Sequence, residues 1–146
     1  MANVKKSVPK SITFRVSEEL EKQINNLYDS KGGAAEKIVP AYFELRKYSL
    51  GEIKGFFTKE EVNALTDSLN GIIQEVDFQA NKGIAIAHLY DFQQYESGIS
   101  RHGATPDILL DKVNKLTASQ VYFLQEEINI FWGKGKQFDF LYDTLL

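Results

Sequence analysis

Apolar and polar residues alternate without a break along Lys10-Ser11-Ile12-Thr13-Phe14-Arg15-Val16, placing Ile12, Phe14 and Val16 on one face and Ser11, Thr13 and Arg15 on the other. A period of two predicts a β-strand over 10–16. From Ser17 the period lengthens. Leu20, Ile24 and Leu27 fall on one side of a helix predicted over 18–28, with Ser17 as its N-cap and Glu18, Glu19 and Glu21 at the positive end of its dipole. Asp29-Ser30-Lys31-Gly32-Gly33 reads as a turn. A second helix is expected over 34–48, burying Ala35, Ile38, Val39, Tyr42 and Leu45, with a kink near Glu36 because Pro40 lacks the N–H that would bond there.

Past this helix, Ser49-Leu50-Gly51-Glu52-Ile53-Lys54-Gly55 is the best candidate for a domain boundary. Thr58-Lys59-Glu60-Glu61 fits a capping box ahead of the apolar stripe Val62, Leu65 and Leu69, and Asn70-Gly71 ends that helix. Ile72 to Phe78 is either a short strand or a loop; as a strand it would be the intramolecular rival partner for residues 10–16. Asn81 is expected to cap a helix running to about 93–95 with Ile84, Ala87 and either Tyr90 or Leu89 inward, followed by a polar loop to Gly103. Thr105-Pro106-Asp107 places proline at a first helical position ahead of Ile108, Leu109, Val113 and Leu116. Thr117 to Gln120 repeats the capping-box pattern, and Val121, Leu124, Ile128, Phe131 and Trp132 form the next stripe, ended by Gly133. The aromatic tail from Phe138, with Phe140 and Tyr142, is too short for an independent helix, so it packs on the domain or docks on a partner. The fold class is mainly α, with a flexible basic arm at 1–9, a module at 10–50 and an all-helical domain at 56–146.

A lone strand leaves its N–H and C=O groups without a ladder, and the economical partner is the same strand of a second copy. Two such strands about a two-fold axis form a ribbon that the DNA major groove admits. Residues 10 to about 50 resemble the ribbon-helix-helix DNA-binding proteins, the group of the Arc, MetJ and CopG repressors. The resemblance rests on the strand ending Thr13-Phe14-Arg15-Val16, the opening Ser17-Glu18-Glu19-Leu20, and the Gly32-Gly33 break before Ala34-Ala35-Glu36-Lys37-Ile38. Pro40 departs from the family pattern, as does a helix opening with Gly-Ala-Ala where many members carry serine.

The resemblance implies sequence-specific binding to double-stranded DNA by a homodimer, as a transcriptional repressor of a bacterium or its mobile elements. Ser11, Thr13 and Arg15 become the base contacts, with Arg15 suited to guanine O6 and N7. Lys5, Lys6, Lys10 and the N–H groups of Gly33, Ala34 and Ala35 become the phosphate contacts. Ile12, Phe14, Val16, Leu20 and Ile38 become the dimer core. The helical domain is left to engage a protein partner or to join dimers in higher-order assembly on DNA. The same fold serves a plasmid partition or conjugation accessory factor; the readings from other classes are an antitoxin whose C-terminal part wraps a toxin, and a structural phage or element protein that pairs strands without DNA.

Charge sharpens this picture. Residues 1–48 carry nine Lys/Arg against six Asp/Glu, a net +3, and the rest carries eight against fourteen, a net −6. Residues 1–16 hold four basic residues and no acid, which reads as a phosphate-contacting arm in preference to an ordinary solvated terminus. With no cysteine, thiol catalysis and disulfides are excluded, and with no long apolar run or signal-peptide core the chain is expected to be soluble and cytoplasmic. No cofactor, metal or catalytic site is expected. His88 with Asp91 has no third ligand at recognisable spacing, and Ser100, His102 and Asp107 lack a nucleophile elbow. Gly133-Lys134-Gly135-Lys136 lacks phosphate-loop spacing, and Glu126-Glu127 reads as a solvated helix face.

Overall fold

A computed structural model describes residues 15–95, 98–133 and 138–146, and among these the protein is mainly α, with seven α-helices and no strand. The helices are α1 (Glu18–Leu27), α2 (Lys31–Ile53), α3 (Lys59–Ser68), α4 (Phe78–Gln93), α5 (Pro106–Lys115), α6 (Ala118–Gly133) and α7 (Phe138–Leu145), with a 3₁₀ turn at Ile99–His102 between α4 and α5. Two compact units divide the chain, Met1–Ala41 and Tyr42–Leu146. The division falls just after Pro40, which lies inside α2 and interrupts its hydrogen-bond ladder.

In the first unit Ser17 caps α1 as its sequence foretells, accepting from Leu20 N at 3.2 Å. The start of α2 does not follow expectation. It begins at Lys31 rather than Ala34, because the Ser30 hydroxyl accepts from Gly33 N at 2.9 Å and the Ser30 carbonyl from Ala34 N at 3.0 Å, turning the two glycines into first-turn residues. Its other end also lies beyond the expected 48. Leu50 and Ile53, in the stretch that reads as a boundary, are buried in the second unit's core.

The second unit is built on α6, which packs against α4 and α7, while α3 lies against the 3₁₀ turn and α7. Phe123 sits at its centre, with Tyr42, Phe78 and Tyr122 edge-on around it at centroid distances of 5.3, 6.0 and 5.3 Å. Both capping boxes form. Glu61 N donates to Thr58 Oγ1 and Thr58 N to Glu61 Oε2, and Gln120 with Thr117 does the same. Glu61 is buried as well, its carboxylate held by Lys112 Nζ at 2.7 Å.

Several burial assignments need correction. Asp77, not Asn81, caps α4, accepting from Gln79 N and Ala80 N. Asn81 is instead buried one turn inside, its Oδ1 accepting from Glu75 N at 3.0 Å and its Nδ2 donating to Gln125 Oε1 at 3.0 Å. The inward face of α4 is therefore Asn81, Ala85 and Leu89, which leaves Ile84 and Ala87 exposed. Residues 72–76 form a loop rather than a strand; backbone groups of the loop go to side chains, the Ile72 carbonyl accepting from Gln125 Nε2 and Glu75 N donating to Asn81 Oδ1, while the Gln74 side-chain amide donates to the Tyr122 carbonyl. On α5 Leu110 takes the buried place expected of Ile108. In the tail α7 buries Leu141 and Leu145, Tyr142 is half-buried, and Gly55 N donates to the Leu145 carbonyl at 2.8 Å; the side chains of Phe138 and Phe140, on which the choice between packing and docking also turned, lie outside the described residues.

A charged cluster fixes the second half of α2 to α6. Arg46 donates from Nε to Glu126 Oε2 at 2.9 Å and from Nη2 to Glu127, which is 1% exposed, and the Tyr42 hydroxyl donates to Glu126. The pair Glu126-Glu127 is thus not a solvated face. Burial, together with the Glu126 carboxylate, raises the Tyr42 pKa well above its ordinary 10.0, and burial with the Glu126 charge raises that of Tyr122. A phenol whose folded value lies above its unfolded one stabilises the fold fully below pH 10.0 and loses that contribution as pH climbs towards the folded value. Urea unfolding at a series of pH values is therefore expected to show stability falling above about pH 10, with a shallower fall in Tyr42→Phe; identical curves for the two proteins would refute the assignment.

Candidate nucleic-acid interface

The residues assigned to DNA sit in the first unit. Lys5, Lys6, Lys10, Ser11, Ile12, Thr13 and Phe14 lie outside the described residues. Arg15 and Val16, which close the alternating run, are exposed and form no strand in the single chain. The amides assigned to phosphate follow the early start of α2: those of Gly33 and Ala34 are donated to Ser30, so the helix N-terminus is presented one turn earlier, at Lys31 and Gly32. Beside it lies a recess of about 230 Å³ whose lining includes Tyr28, Ser30, Gly33 and Lys37, with Lys37 Nζ 5.7 Å from the Tyr28 ring centroid.

The opposite requirement, an apolar surface to be covered, is present on the same unit. Helix α1 carries its apolar stripe, yet none of its residues is buried. Leu20 is 44% exposed and Leu27 76% exposed, Val16 just before the helix is 40% exposed, and Ile38 on α2 is 45% exposed. Three of the five residues assigned to the dimer core are therefore half in solvent in a single chain. A ten-residue helix with its apolar side in water is marginal by itself.

Elsewhere, His102 Nε2 lies 3.0 Å from Asp67 Oδ2 rather than joining Ser100 and Asp107, and His88 is exposed. Among the described residues no three His, Cys, Asp or Glu side chains converge as metal ligands, and no helix is long and apolar enough to cross a membrane. Trp132 is not a core residue as its stripe suggests. It is 44% exposed, its Nε1 donating to the Thr66 carbonyl at 2.9 Å, and it lines an open cleft that no sequence motif announces. No family model, curated protein or solved structure matches this chain.

Proposed function

We propose that the chain is a sequence-specific DNA-binding protein of the ribbon-helix-helix kind, acting as a homodimer and serving as a transcriptional repressor. The observation that carries this reading is the exposure of Val16, Leu20 and Ile38, apolar residues that a single chain leaves half in solvent directly after the alternating pattern of 10–16 and on the helices that follow it. A second copy covers both at once: strands 10–16 pair across the two-fold axis, and the apolar faces of α1 and α2 close beneath them. The polar strand face then carries Ser11, Thr13 and Arg15 from each copy into the major groove, with the arm at Lys5, Lys6 and Lys10 on the phosphates.

The unit from Tyr42 has its own buried core and capped helices. That supports a folded protein-contact role for it in repression, or in the alternative role of a partition or conjugation accessory factor, over an antitoxin tail that orders only on its toxin.

Gel-shift titration on genomic fragments tests the function, and retention of no fragment over random DNA would refute it. For the readout, Arg15→Ala is expected to cost roughly 1–3 kcal/mol per recognised base pair and to relax preference there, while Lys5→Ala and Lys6→Ala weaken all sequences alike and flatten the salt slope. Equal losses on specific and random DNA for Arg15→Ala would move that residue to the phosphates.

A further inference from the structure

We propose that the cleft of the second unit is a binding site for a small aromatic carboxylate, independent of DNA binding. The cleft holds about 350 Å³ and is lined by Asn63 and Asp67 of α3, Arg101 and His102 of the 3₁₀ turn, Trp132 of α6 and Tyr142 of α7. That volume lies at the lower end of the ~300–1,000 Å³ of ligand sites, which suits a molecule of one or two rings.

Its walls are held in place before any ligand arrives. Asn63 and Asp67 stand one turn apart on α3, and each fixes a residue from another element: Asn63 Oδ1 accepts from the Tyr142 hydroxyl, and Asp67 Oδ2 is 3.0 Å from His102 Nε2. Trp132 is fixed through its indole N–H to the Thr66 carbonyl, which leaves its ring as an exposed apolar face. The 3₁₀ turn that presents Arg101 and His102 is pinned by glycine at both ends. A Cβ on Gly98 would come within 2.5 Å of the Phe92 carbonyl oxygen, and Gly103 has a φ of +81°.

Against these fixed walls, Arg101 is exposed and, among the described residues, has no carboxylate partner. The Asn63 amide, its oxygen taken by Tyr142, offers two N–H donors. The lining acid, Asp67, is engaged by His102. The open chemistry of the cleft is therefore a forked cation and an amide donor beside an indole face. A guanidinium matches a planar carboxylate through two parallel bonds, and an indole face accepts an aromatic ring by offset stacking.

Because Trp132 is the chain's single tryptophan, its fluorescence reports on this cleft directly. The full chain is titrated with benzoate and phenylacetate, and in parallel with benzamide, which has the ring without the charge, and acetate, which has the charge without the ring. Saturable change is expected with both aromatic acids, and binding at least about tenfold weaker with benzamide and acetate, the scale of one charge-assisted contact. Arg101→Gln is expected to weaken both aromatic acids by a similar factor with an unchanged circular dichroism spectrum, and Arg101→Lys to fall between. The proposal is overturned by the absence of a saturable response to either acid, by benzamide binding as well as benzoate, or by unchanged affinity in both Arg101 variants.

Discussion

A chain carrying Leu20→Asp is expected to stay monomeric and to lose DNA binding, while its 42–146 unit keeps its helicity and thermal stability. In one chain Leu20 is 44% exposed on a helix that buries nothing, so an aspartate there meets water. Surface substitutions of this kind shift stability by no more than about 0.5 kcal/mol. If Leu20 instead closes against a second copy beneath a paired strand ribbon, the same substitution places a carboxylate in an apolar interface. Desolvating that charge costs several kcal/mol on each side of the two-fold axis, roughly the whole stability of a small dimer. Phe14→Asp is expected to act in the same way, since Phe14 lies on the apolar side of the alternating run 10–16. Sedimentation at several concentrations, paired with gel shift, decides the matter. A Leu20→Asp protein that sediments as its parent does, and still selects its DNA, would remove the dimer and with it the ribbon.

Arg46→Ala is expected to lower the stability of the second unit by about 3 kcal/mol, the effect of stripping one partner from a buried ion pair. The guanidinium is divided between Glu126 and Glu127, and Glu127 is enclosed. Removing Arg46 leaves two adjacent carboxylates facing each other without a cation. For a unit of this size the melting temperature is expected to drop by roughly 14 °C. The discriminating comparison is the pair Arg46→Met with Glu127→Gln. It removes the guanidinium and the enclosed carboxylate, leaving Glu126 with the Tyr42 hydroxyl, and should recover most of the loss, because apolar or neutral replacements of a buried pair come close to balance. A double variant less stable than Arg46→Ala would mean that packing of the arginine stem, not its charge, holds α2 to α6.

The sequence by itself determined the elements whose cause is local. Ser17, the box of Thr58 with Glu61, the box of Thr117 with Gln120, and Pro106 at the head of α5 each act within three or four residues, so the chain alone specifies them. The amphipathic stripe of α1 was legible in the same way, because period and polarity are one-dimensional properties, although none of its residues is buried in the single chain.

Tertiary structure alone decided which of several adequate choices was used. Asp77 and Asn81 can both cap a helix; Asn81 moved inside because Glu75 and Gln125 satisfy both ends of its amide across elements. Phe131 and Trp132 both lie on an apolar stripe, and Trp132 turned outward once its N–H found the Thr66 carbonyl of another helix. Glu127 reads as a surface acid until Arg46, 81 positions away, makes its burial tolerable. Burying a polar group is costly unless it is satisfied, and apart from Glu75 the partners named here stand dozens of residues away. No pattern along the chain records them. The cleft of Asn63, Arg101 and Trp132 has the same origin, since these residues stand on three elements far apart in the chain that are brought together only by the fold.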